Sequence, residues 1–150
     1  TIHFVTHSLG GILVRYYLEH HELSGLGRVV MLAPPNKGSE AVDSLKDFPG
    51  YLLLNGPAGT QLGTDDSSIP AKMGPVEFEL GIIAGTRTIN PILSLFLPNP
   101  DDGKVSVEST KVEGMKDFIA VSHSHPFIMQ MPLVIKQALR FIQTGEFAYE

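Results

Sequence analysis

Four short apolar runs alternate with stretches of helical period along this chain. Ile2–Val5, Arg28–Ala33, Phe78–Gly85 and Asp117–Val121 are brief, rich in β-branched residues and bounded by turn formers, which predicts buried strands. Between the first two runs, Leu9, Ile12, Leu13, Tyr16 and Tyr17 repeat at helical spacing and predict one apolar helix face. His20 and His21 fall in the last turn of that helix, where a cation suits the dipole, and Gly25 and Gly27 stop it. Ser39 is placed to cap a helix reaching about Phe48, with Ala41, Val42, Leu45 and Phe48 inward and Pro49-Gly50 at its end. The clearest helix comes last. Pro132 suits its first turn, Met131, Val134, Ile135, Ala138, Leu139 and Ile142 form its apolar side, and Gly145 ends it. From Tyr51 to about Val76 the pattern dissolves into Gly, Pro, Thr, Asp and Ser, interrupted by the apolar patch Tyr51–Leu54.

Strand, helix and strand within the first 33 residues make a βαβ unit, which requires parallel pairing. Continued alternation predicts an α/β fold, a mostly parallel sheet with flanking helices. The 150 residues and a 43% hydrophobic fraction suit one globular domain with a sizeable core. The net charge is −5 and the 11 basic residues are scattered, so nucleic acid is not an expected partner. Without cysteine there is no disulfide or thiolate chemistry. No apolar run is long enough to span a membrane.

The candidate chemistry begins where the first strand meets the first helix, at Thr6-His7-Ser8-Leu9-Gly10. A serine flanked at two residues' distance by small residues, between strand and helix, reads as a nucleophile elbow. Bulky side chains at its two small positions would collide, and the turn exposes the serine hydroxyl beside the Leu9 N–H. The competing reading is a serine that merely caps a helix. The stretch resembles the α/β-hydrolase superfamily, in its lipase and esterase branches, with threonine in place of the first glycine of Gly-x-Ser-x-Gly. The resemblance implies an α/β-hydrolase fold lacking its N-terminal strands. Residues 1–150 would be the C-terminal part of a single domain, with an irregular, cap-like excursion around 49–76. It also implies that a second oxyanion N–H lies upstream of Thr1, so that these residues alone would be a weak enzyme or none.

In open parallel sheets, functional groups collect beyond the carboxyl ends of the strands. Asp101 and Asp102 follow the third strand, and His123 and His125 follow the fourth. The order Ser, Asp, His is that of α/β-hydrolases. A serine needs a histidine base, and the base needs a carboxylate to fix its tautomer. Asp102-Gly103-Lys104-Val105 resembles the acid turn of lipase-like hydrolases, and Gly103 permits a sharp turn that swings the preceding carboxylate inward. Asp101 is the rival, otherwise a solvated or turn-capping neighbour. His125-Pro-Phe-Ile-Met129 resembles the base segment of some bacterial lipase-like proteins, with His123 as the rival. His123 and His125 together also invite a metal reading, but two imidazoles make a weak site. The expected set is catalytic Ser8, Asp102 and His125, with Leu9 in the oxyanion hole and no metal or other cofactor.

His7 should point away from Ser8 and serve packing or hydrogen bonding, and His3 reads as a core histidine on a buried strand. Asn36 and Ser39, in Ala33-Pro-Pro-Asn-Lys-Gly-Ser39, could orient the elbow, line a pocket or simply make a turn. Tyr51–Leu54 and Ile92–Leu97 could bind an acyl chain, form a cap or fill the core. The expected partner is a small-molecule or lipid-like ester. Acyl transfer or thioester hydrolysis on the same triad, and a non-catalytic binding module, are the alternative functions.

Overall fold

A computed structural model describes residues 1–45, 61–89, 91–95 and 97–149. Four strands, β1 (Ile2–His7), β2 (Leu26–Leu32), β3 (Leu80–Gly85) and β4 (Asp117–Val121), form one sheet in the order β1-β2-β3-β4. Every neighbouring pair is parallel. The four carboxyl ends therefore open on one side of the molecule, as the sequence pattern predicts. The helices are α1 (Leu9–His20), α2 (Glu40–Leu45), α3 (Ile69–Lys72), α4 (Pro91–Ser94), α5 (Val107–Thr110) and α6 (Pro132–Thr144). A 3₁₀ turn, Ile128–Gln130, leads into α6.

The period-two alternation of the strands sorts the core into two layers. Val30, Leu32, Ile83 and Val121 join Val134, Ala138 and Phe141 of α6 on one face. Val29, Met31, Leu80 and Ile82 face the other way, with Val14 and Leu18 of α1 against them. Gly81 lies under two buried aromatic rings. A Cβ there would stand 2.7 Å from Phe141 Cδ2 and 2.8 Å from Phe147 Cζ. Overpacking of this kind typically costs about 1–3 kcal/mol. Gly81→Ala is therefore expected to lower the urea midpoint by an amount of that order, with an unchanged slope; an unaltered midpoint would contradict this packing.

Both long helices turn differently from their predicted faces. In α1 the buried residues are Gly11, Ile12 and Arg15, while Leu13, Tyr16 and Tyr17 are exposed. Arg15 is inward because backbone carbonyls receive its guanidinium, those of Asn36 at 3.0 Å, Met73 at 3.1 Å and Gly74 at 2.8 Å. Burial lowers the Arg15 pKa, against the charge of Glu19. In α6 the buried residues are Val134, Gln137, Ala138 and Phe141, and Ile135 and Leu139 are exposed. Gln137 exchanges two 2.9 Å hydrogen bonds with the Ala148 backbone. Gly145 does end α6, its N–H donating to the Phe141 carbonyl at 2.7 Å.

Other expectations shift as well. β1 is an edge strand of this sheet, so Ile2 and Val5 are exposed rather than buried. His3 is exposed too, and its Nδ1 accepts the Arg28 backbone N–H at 2.9 Å. α1 stops at His20, ahead of both glycines, and Gly27 already belongs to β2. α2 buries Val42 as predicted. Phe48, Pro49-Gly50 and Tyr51–Leu54 lie outside the described residues, as does the first part of the excursion. Its remainder carries α3, capped by Ser68, whose hydroxyl accepts the Ala71 N–H. Of Ile92–Leu97, Leu97 is buried and Leu95 exposed.

Candidate active site

The β1–α1 junction turns on Ser8, which holds φ 53 and ψ −125. A positive φ is uncommon for a residue with a side chain and marks a backbone held by its surroundings. The surroundings are visible here. The Ser8 N–H donates to the Leu32 carbonyl at 2.9 Å, and the Gly11 N–H donates to the Ser8 carbonyl at 3.0 Å. Thr6 and Gly10 face each other across the turn, and a Cβ on Gly10 would meet Thr6 Cβ at 3.6 Å. That is ordinary contact, so threonine fits at the first small position with room to spare. Gly11 permits close approach of α1 to β2; a Cβ there would lie 3.1 Å from Met31 Sδ and from Pro34 Cβ. Ser8 makes no side-chain cap to α1. The helix-capping reading of this serine is therefore not what its hydroxyl does.

That hydroxyl meets His125. Ser8 Oγ lies 3.0 Å from His125 Nε2, and His125 Nδ1 lies 2.7 Å from Asp102 Oδ2. A carboxylate only accepts, so Nδ1 carries the proton and Nε2 presents its lone pair to the serine O–H. Asp102 and His125 are buried, 1% and 6% exposed. The other oxygen of Asp102 accepts the Lys104 N–H at 3.0 Å and the Val105 N–H at 2.9 Å. Gly103 makes this turn possible with φ 94. Three connections, after β1, β3 and β4, thus converge above the sheet. The Leu9 N–H, first in α1, precedes the first intrahelical bond and stands beside Ser8.

The two rivals sit apart from this chain of bonds. Asp101 is buried rather than solvated, yet it does cap the turn: Oδ1 accepts the Gly103 N–H at 2.7 Å and Oδ2 the Ser94 hydroxyl at 2.6 Å. It ties α4 to the acid loop. The His123 carbonyl accepts the Arg87 N–H at 3.3 Å. Both ring nitrogens of His125 are engaged by Asp102 and Ser8, which leaves no lone pair for a metal shared with His123. Among the described residues no three His, Asp or Glu side chains gather as a metal site would need.

Ser39 and Asn36 brace the site from behind. Ser39 Oγ donates to the Lys104 carbonyl at 2.8 Å. Asn36 is buried, accepts from Arg15 and donates to the Thr110 carbonyl at 2.8 Å. One contributor lacks a chemical side chain and was missed in the sequence. A Cβ on Gly85, at the end of β3, would lie 2.5 Å from the His123 carbonyl oxygen and 2.7 Å from Asp102 Cβ. The Asp102 and His125 loops meet over that bare α-carbon. Gly85→Ala is expected to push them apart and to cut kcat of the hydrolysis proposed below about 10²-fold, the scale of a 1 Å misplacement. A variant that folds and keeps its kcat would show that the loops approach elsewhere.

His7 is half-buried and bonds to the base segment, in keeping with the hydrogen-bonding role expected of it. Its Nε2 lies 3.0 Å from the His125 carbonyl oxygen, and the two rings are 4.8 Å apart with a tilt of 46°. Burial, and then the neighbouring His125, lower the His7 pKa below the usual 6.5; the bond to the carbonyl and Asp102 oppose them.

No family model and no curated protein sequence matches this chain. Solved structures do. It superposes on the lipase BlEst2 of Bacillus licheniformis in its mature form with a TM-score of 0.64 at 19% identity, over 89% of this chain and 65% of that one. With the propeptide form of that lipase the TM-score is 0.71 at 19% identity, over all of this chain and 38% of that one. The chain therefore spans less than two thirds of the lipase chains it matches. Parallel sheet, flanking helices and superposition together give this chain an α/β fold similar to that of this lipase.

Proposed function

We propose that this chain carries the nucleophile, acid and base of a serine ester hydrolase of lipase or esterase type within the α/β-hydrolase superfamily. The observation that supports the reading most is the unbroken bond chain Ser8–His125–Asp102. It lies over the strand ends of a lipase-like fold. As His125 Nε2 takes the hydroxyl proton, Ser8 Oγ bonds to the ester carbonyl carbon. The carbonyl π pair moves to oxygen, and the Leu9 N–H donates to that oxyanion. Collapse of the tetrahedral species expels the alcohol, which takes the proton from Nε2, and leaves an acyl-enzyme. Water repeats the sequence and releases the acid. Asp102 keeps the imidazole in the required tautomer and stabilises the imidazolium.

A fluorophosphonate probe tests the assignment directly, because it labels only an activated serine. The whole protein that contains these residues is expected to take one label on Ser8, and its Ser8→Ala variant none there. Equal labelling of the two would remove Ser8 from the mechanism. Esters, thioesters and acyl transfer to alcohols share this chemistry up to the acyl-enzyme, so turnover with each acceptor ranks them.

A further inference from the structure

His125 is gripped at three points. Its backbone N–H donates to the Asp102 carbonyl at 3.0 Å, its ring Nδ1 to the Asp102 carboxylate, and its carbonyl accepts from His7 Nε2 at 3.0 Å. Two grips come from the acid. The third comes from the residue immediately before Ser8. A carbonyl only accepts, so His7 must carry its proton on Nε2. The end of β1 therefore supplies both the nucleophile and the clasp that holds the base segment against it.

From this arrangement we infer that His7 is a positioning residue for the proposed hydrolysis: its neutral, Nε2-protonated ring fixes the distance between His125 and Ser8. The inference rests on the triad reading above and extends it. Among the described residues nothing else bonded to the His125 backbone runs to β1, the strand that leads into Ser8. Without the clasp, Asp102 still holds the backbone N–H and orients the imidazole, but the restraint that ties His125 to β1 is lost. Proximity of this kind is felt in kcat far more than in substrate binding.

Charge enters as well. The groups facing His7 are His125 on the base loop and Asp102 and Lys104 on the acid loop. The reaction places a proton on His125, 4.8 Å from the His7 ring. A neutral His7 tolerates that cation; a protonated one opposes it. Protonation of His7, which burial moves below its usual range, should therefore add one order in protons to the acid limb of kcat/KM.

Two substitutions separate the roles. His7→Phe fills the space without a donor. His7→Gln places an amide N–H near the former Nε2 but does not titrate. Expected for His7→Phe is a kcat loss of about 10-fold or more with KM little changed, by the scale of a misplaced catalytic group. His7→Gln should recover most of that kcat and keep a first-order acid limb throughout. Thermal melts show whether each variant is folded. If folded His7→Phe keeps its kcat, or His7→Gln retains a second-order limb, the inference is wrong. Should Ser8→Ala remain active in the same assays, the underlying hydrolase reading fails instead, so the two failures are told apart.

Discussion

In the whole protein, Ser8→Ala is expected to lower kcat for ester hydrolysis by about 10⁶-fold, as loss of the nucleophile does in subtilisin. The fold should survive. The serine side chain has one hydrogen bond, to His125, and its backbone is held at φ 53 by bonds of its own N–H and carbonyl. Alanine meets the same steric demand at that φ as serine does. The expected signature is therefore an unchanged melting curve and unchanged KM with a collapsed kcat. A residual rate above the uncatalysed one would come from the oxyanion donors and substrate binding. Activity near that of the parent would place the chemistry elsewhere in the molecule.

Asp102→Asn is expected to cost about 10⁴-fold in kcat. The reason lies in how the carboxylate is divided. Oδ1 already accepts two backbone N–H groups, from Lys104 and Val105. An asparagine must leave its carbonyl oxygen there and turn its NH₂ toward His125. A donor now faces Nδ1, which can only respond by accepting. The imidazole proton moves to Nε2 and points at Ser8, so the base has no lone pair where it is needed. Nitrogen chemical shifts of the His125 ring report this exchange of tautomers independently of rate. A fast Asp102→Asn variant, or one with the parent tautomer, would transfer the role of acid to another carboxylate.

What the sequence showed well was whatever local rules decide. The strand-turn-helix at Ser8, the four strands and the loops carrying Asp102 and His125 all follow from short-range pattern and glycine placement. Which side of a helix faces the sheet does not. In α1 the pattern favours Leu13, Tyr16 and Tyr17, yet the chain buries Arg15, because three carbonyls from distant loops receive its guanidinium. In α6 it favours Ile135 and Leu139, yet Gln137 goes inward to the Ala148 backbone. A polar residue looks external until its partners are known, and those partners are set by tertiary structure. The same holds for the site. Asp101 and Asp102 differ little as sequence, and are separated by which acceptor each donor finds. Gly85 offered a signal, a glycine closing a strand that leads to the acid, but its meaning depends on two loops arriving above it.

The division of labour on Asp102 has one more consequence. Both of its oxygens are engaged before any substrate arrives, one by the backbone of its own turn and one by the base. In the proposed hydrolysis, positive charge develops on the His125 imidazole, and nothing around Asp102 has to swing into place to meet it. A carboxylate in water would have to reorder its solvent shell during each turnover. Here that rearrangement is completed once, as the chain folds, and every later catalytic cycle starts from dipoles already aligned.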